Sequence, residues 1–215
     1  MRKLLSLILV VIMMMSLIGC NGNNETNAAI AENKKENEYL AAEKAYKELV
    51  EAHDLCADVM DSIYGAWYFS IYEYDDHYGS RGFFEFCDEA SVDYGELLDA
   101  ISDYKGYTVY DTTAYGLLED FSYSTYFVGR VFENNGTYDK IEEHLATAKD
   151  SLKSVTNEYS DYTGYTVLKS YYSEIKAYYE FCENPTGSFS QLKTTIDNYE
   201  TNLRNYKNDL SFIFE

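Results

Sequence analysis

The residues best suited to chemistry in this chain are carboxylates, imidazoles, thiols and an unusual number of phenols. Glu73, Asp75, Asp76 and His77 crowd together just before Gly79-Ser80-Arg81-Gly82. Three carboxylates and an imidazole at a helix end form a ligand set for a divalent cation. The commoner use of such a run is a solvated loop. His53 falls on an apolar stripe, which predicts a partly buried helix histidine, whereas His144 sits beside Glu142 and Glu143 and is expected to face solvent. No His-Glu-x-x-His run, Gly-rich phosphate loop or Gly-x-Ser-x-Gly elbow occurs. A calcium loop over Phe132–Glu143 fails, because Gly136 at its sixth position makes Val131 the first ligand. The search for a catalytic set therefore ends without one, and the expectation is a protein that binds rather than catalyses.

The thiols and phenols say more about packing. Cys56, Cys87 and Cys182 each fall on an apolar stripe, where Cys behaves as a small hydrophobe. Two readings stand: three buried thiols, or one bridge with a thiol left over, Cys87 and Cys182 being the favoured pair. Of 24 tyrosines, eleven lie on the helical seams described below and thirteen do not. Among the off-seam set, Tyr64, Tyr68 and Tyr72 repeat at four-residue spacing. That spacing aligns three rings on one helix face, usable for core packing or for contact with a sugar, a peptide or another bundle.

Helices must position these groups. The chain has 215 residues, one Pro and twelve Gly, few for a turn-rich β fold. Apolar residues repeat in alternating steps of four and three. Ile141, Leu145, Ala148, Leu152, Val155, Tyr159 and Tyr162 follow that rule, and so do Leu192, Ile196, Tyr199, Leu203, Tyr206, Leu210 and Ile213. Leu168 to Cys182, Phe83 to Tyr104, and Tyr39 to Tyr74 extend it. Glycine- and asparagine-rich breaks separate the runs, and Thr108 with Asp111 and Ser188 with Gln191 fit capping boxes. The pattern predicts six helices, near 30–78, 82–104, 108–134, 137–161, 166–183 and 188–214, as an all-α antiparallel bundle or hairpin array with heptad-like seams.

Two internal repeats run through the array. Ser102–Val109 recurs as Ser160–Val167 with one change in eight residues. Glu85-Phe86-Cys87, Leu97 and Ile101 recur 95 residues later as Glu180-Phe181-Cys182, Leu192 and Ile196. The later copy contains a break at Pro185 and Gly187. The same offset would put a turn at Asp88–Ser91, but the seam through 82–104 never loses phase, which favours one unbroken helix there.

Charge narrows the partners. With 17 Lys and Arg against 37 Asp and Glu, the formal charge is −20, which excludes a nucleic-acid binder that needs a basic face. Aromatic residues at 17% exclude a disordered acidic tail.

The first twenty residues form an address. Arg2 and Lys3 precede an apolar run from Leu4 to Ile18, shorter than the roughly 20 residues that span a bilayer, so it reads as a signal-peptide core. The run ends in Leu17-Ile18-Gly19-Cys20, which resembles the lipobox of bacterial lipoproteins. The resemblance covers this segment alone. It implies cleavage after residue 19 and a diacylglycerol on the Cys20 sulfur, anchoring the chain on the extracytoplasmic face of the cell membrane. Losing Arg2 and Lys3 would leave 15 bases against 37 acids, a charge of −22. Residues 20–38, rich in Asn, Glu and Lys, read as a flexible tether that turns helical towards its end, and 39–215 as one acidic, Tyr-rich helical domain. The function expected on these grounds is a lipid-anchored, non-catalytic binding or scaffold module for a cell-envelope protein or glycan, with no cofactor beyond the anchor. The alternative is a metal- or solute-capturing lipoprotein of an uptake system, built on Glu73, Asp75, Asp76 and His77.

Overall fold

The computed structural model describes residues 22–73, 80–104, 116–156 and 163–215. These residues form an all-α bundle of seven helices, with no strand among them. Helix α1 spans Gly22–Tyr68 and passes into a π-helical turn at Phe69–Glu73. It is followed by α2 (Ser80–Glu89), α3 (Tyr94–Asp103), α4 (Phe121–Asn134), α5 (Thr137–Lys153), α6 (Tyr165–Glu183) and α7 (Phe189–Phe214). A 3-10 turn, Leu117–Glu119, leads into α4.

α1 is the hub, and α4, α5, α6 and α7 all pack against it. The seam explains why. Ala42, Tyr46, Leu49, His53, Cys56, Met60, Ile63 and Trp67 are all buried, and Ala45, Ala52 and Ala66 beside them are fully buried small residues that let neighbours approach. The facing seams come from α5 (Ile141, Leu145, Ala148, Leu152), α6 (Leu168, Tyr171, Ile175, Tyr178, Cys182) and α7 (Leu192, Ile196, Leu203, Leu210), every one of them buried. The last turn of α7 docks on α1 through Phe214, stacked 5.2 Å from Tyr46. There Tyr39 donates its hydroxyl to Ile213 O and Tyr46 donates to Glu215 Oε1. Gly136 and Gly164 open α5 and α6 with φ of 76° and 59°, the left-handed region in which a Cβ is strained.

Four expectations change. The 82–104 run is two helices, not one. Asp93 caps α3 by accepting from the Gly95 and Glu96 amides, while Ser91 turns through φ 50°. The seam keeps its phase across the turn, since Cys87, Ala90, Leu97 and Ile101 are all buried, so periodicity alone could not register the break. The 95-residue repeat did mark it, and Asp93 and Ser188 are N-caps at equivalent places. The helix expected over 108–134 begins its final stretch only at Phe121, because Asp120 is extended and its carboxylate caps the Ser122 amide. The helix expected to reach residue 161 stops at Lys153, where Ser154 and Val155 close the end with i→i−3 bonds to Ser151 and Leu152. The tether is helical from Gly22, with residues 28–37 all exposed. Extending a helix already nucleated by the packed part of α1 costs little, and Ala28, Ala29, Ala31, Glu32 and Lys34 are good helix formers.

The capping box at Ser188 forms as expected, with Gln191 N donating to Ser188 Oγ and Ser188 N donating to Gln191 Oε1. Thr108, Asp111 and most of the Ser102/Ser160 repeat lie outside the described residues.

Candidate functional site

A depression of about 640 Å³ lies where α4, α5 and the C-terminal end of α6 meet. Its phenols are Tyr126, Tyr138 and Tyr179, and its carboxylates are Glu133, Asp139, Glu142 and Glu183. Arg130 brings the one basic side chain to this lining. Its guanidinium is already engaged within α4, against Glu133 and, at 3.4 Å, Asn134 Oδ1. Asp139, Glu142 and Glu183 therefore leave the cleft strongly negative. The C-terminus of the 19-residue α6 points its partial negative charge at the same place.

The phenols are held in position. Tyr179 donates to Glu142 Oε1 at 3.1 Å, Tyr138 donates to Cys182 O at 3.4 Å, and the two rings meet edge to face with centroids 6.0 Å apart. Burial, and then the charges of Glu183 and Glu142, push the Tyr179 hydroxyl above its ordinary range. Burial does the same to Tyr138. Both stay protonated, so they act as hydrogen-bond donors and ring faces rather than as bases. A second depression of about 360 Å³ shares Glu142, Tyr179 and Glu183 with the first and continues between α5 and α6 past Tyr172. Together they make an elongated acidic groove with aromatic walls, suited to ammonium or guanidinium groups carried on a chain.

Tyr64, Tyr68 and Tyr72, singled out by spacing, do come together. Phe189 of α7 joins them, with ring centroids 5.1 Å from Tyr64, 6.3 Å from Tyr68 and 5.7 Å from Tyr72. Trp67 and Phe121 stack nearly parallel beside them, 5.0 Å apart. Tyr72 is 60% exposed and Tyr64 half-buried. This cluster mixes core packing and surface, and it sits where the π-helical turn closes α1. Ser70 in that turn has its hydroxyl 2.8 Å from Ala66 O, Leu118 O and Ser124 Oγ, tying the turn to the approach to α4.

His53 is buried, as its place on the seam predicts, and centres a polar network inside the bundle. Its Nδ1 lies 3.1 Å from the Tyr171 hydroxyl and its Nε2 3.4 Å from Glu200 Oε2. Tyr178 lies beside Glu200, and burial followed by that charge pushes its hydroxyl up. The His53 ring against it, opposed by burial and helped by Tyr178, holds the Glu200 carboxyl below its ordinary range. A depressed carboxyl contributes stability that is complete above the unfolded pKa and disappears as pH falls through the folded one. Asp61, held up by burial and by repulsion from Glu200 and Asp58, works in the opposite sense. Denaturant unfolding of wild type and Glu200→Gln over about pH 3–7 is expected to show an acid limb beginning near 4.5 that is shallower in the variant. Parallel acid limbs would remove Glu200 from the network. His144, expected to be exposed, is half-buried with Nδ1 2.7 Å from Glu48 Oε2.

Cys56, Cys87 and Cys182 are all buried and carry free thiols. The fold sets Cys182 against Cys56 rather than Cys87. Cys20, Asp75, Asp76 and His77 lie outside the described residues, as does the side chain of Glu73. Among the described residues no group of three or more His, Cys, Asp or Glu is arranged to hold a metal ion, and no helix is long and apolar enough to cross a membrane. Models of known protein families, curated proteins and solved structures were compared with the chain, and nothing matches.

The sequence reading missed the groove. Its residues come from three helices with no shared spacing. The available signal was that Tyr126, Tyr138, Tyr172 and Tyr179 belong to the off-seam phenols, which the helix seams do not require.

Proposed function

We propose that the protein is a lipid-anchored, extracytoplasmic binding module without catalytic activity, whose groove between α4, α5 and α6 takes a basic segment of a cell-envelope protein. The observation that carries this reading is that the two depressions share Glu142, Tyr179 and Glu183, so that carboxylates and ring faces line both. The two depressions carry Glu133, Asp139, Glu142, Glu180 and Glu183 against Arg130, Lys149 and Lys176, with Arg130 engaged by Glu133 and Lys176 by Glu180, and the net negative charge attracts cations over about 10 Å at 0.1 M salt. Length favours a peptide over a lone metal ion, because the groove runs along two helices. Anchoring rests on the lipobox resemblance at Leu17-Ile18-Gly19-Cys20, and α1 projects residues 28–37 from the bundle as a spacer. Uptake of a metal or solute through Glu73, Asp75, Asp76 and His77 remains the alternative; a calorimetric titration with calcium, zinc and manganese would show it as stoichiometric binding lost in Asp76→Ala.

The reading is tested by calorimetric titration of the full chain with a lysine-rich peptide at two salt concentrations. Binding that weakens steeply with salt is expected. Replacing Glu142 and Glu183 by Gln should weaken it about five- to thirty-fold, from roughly 0.5–1 kcal/mol per exposed charge pair. Equal affinity of wild type and the double variant would reject the groove. The anchor is tested separately: palmitate labelling should be lost in Cys20→Ser, and unlabelled wild type would reject the lipoprotein assignment.

A further inference from the structure

We propose that Cys56 and Cys182 join in a disulfide when the chain folds in the presence of a low-molecular-weight disulfide, tying α1 to the C-terminal end of α6. The two residues are 0% and 1% exposed. Cys182 Sγ donates to the Cys56 carbonyl oxygen at 3.6 Å, and burial followed by the neighbouring Cys56 thiol pushes the Cys182 thiol up. They stand on the seams of α1 and α6, which pack against each other, and Met60, Ile63 and Tyr178 on the same seams are buried as well. Cys87 is placed differently, on α2. Burial and the carboxylates of Asp88 and Asp93 push its thiol up to about 12.

The bond forms by two exchanges. A thiolate of the pair attacks the small disulfide, forming a mixed disulfide and releasing one small thiolate. The partner thiolate then attacks the protein sulfur of that mixed disulfide and releases the second small thiolate. Two protein thiols are oxidised, one small disulfide is reduced to two small thiols, and the two protons from the protein pass to the released thiolates. Burial raises the Cys182 thiol, so exchange takes place while the core is still open, during folding. Once packed, the two sulfur-bearing residues are 0% and 1% exposed, and reductants reach them slowly. The partners are 126 positions apart in sequence, and closing so long a loop removes much of the freedom of the unfolded chain.

The test is to refold the reduced, full-length chain with a mixture of oxidised and reduced glutathione, alkylate it under denaturing conditions, and digest it without reduction. The expected product contains one peptide pair linked through Cys56 and Cys182, with Cys87 alkylated. Its melting temperature is expected to lie about 5–15 °C above that of the reduced protein. Cys87→Ala should keep both the linked pair and the shift, and Cys182→Ser should lose both. Alkylation of Cys56, Cys87 and Cys182 together in the refolded wild type, or a bridge that uses Cys87, would overturn the proposal.

Discussion

Replacing Gly65 by alanine is expected to destabilise the protein by about 2 kcal/mol or more, reversing the sign that helix propensity alone would give. In an exposed helix, Gly to Ala gains about 1 kcal/mol. Here a Cβ on residue 65 would stand 2.1 Å from Glu89 O, 2.9 Å from Glu89 C and 3.2 Å from Ala90 Cα. All three contacts are backbone, so no rotamer change relieves them. α1 and the end of α2 meet at that glycine because nothing else fits. Overpacking costs about 1–3 kcal/mol where side chains can adjust, and more where they cannot. The relief available is for α2 to move away, breaking the edge-to-face contact of Phe69 with Phe86, whose rings are 5.5 Å apart. Two measurements check this: a lower denaturation midpoint, and faster proteolysis within residues 80–104. Gly116→Ala is the control, since an added Cβ there meets nothing within 4 Å. If both variants retain wild-type stability, α2 does not rest on α1 as described.

The second large effect is expected at Tyr171. Its ring is fully buried in the α6 seam, and its hydroxyl meets His53 Nδ1. Tyr171→Ala removes a buried aromatic ring and should cost about 3–5 kcal/mol. For a domain of this size that is a fall of about 6–20 °C in melting temperature. Tyr171→Phe keeps the ring and removes only the hydroxyl, leaving His53 Nδ1 buried without its partner, at about 1–3 kcal/mol. The ratio of the two losses separates packing from hydrogen bonding. Equal stability of Tyr171→Phe and wild type would show that the His53 contact contributes nothing.

The fold was legible where one period described both helix and burial. The seams of α1, α6 and α7 named by the alternating four-and-three rule are the inward rows of the bundle, buried from Ala42 to Trp67 and, with Tyr199 and Tyr206 half-buried, from Leu192 to Leu210. The rule failed at Ala90–Asp93 for a physical reason. A turn that restores helical phase is invisible to a period, and only Asp93 as a cap and the 95-residue repeat reveal it. Composition likewise reads residues 20–38 as a flexible tether with helix only towards its end, because it ignores the packed helix that continues back to Gly22. Of the sites, the Tyr64, Tyr68 and Tyr72 face was legible because it lies on one helix. The groove was not: Glu133 comes from α4, Asp139 and Glu142 from α5, and Glu183 from α6, and no linear pattern announces groups that only packing brings together.

The binding surface is tested most directly by photo-crosslinking. A lysine-rich peptide carrying a photo-reactive group is irradiated with the full chain in detergent, and the adducts are located by mass spectrometry. Adducts concentrated on Tyr126–Glu142 and Tyr172–Glu183, and suppressed by salt, are the predicted result. Adducts centred on Tyr64, Tyr68 and Tyr72, or spread evenly over the acidic surface, would contradict it.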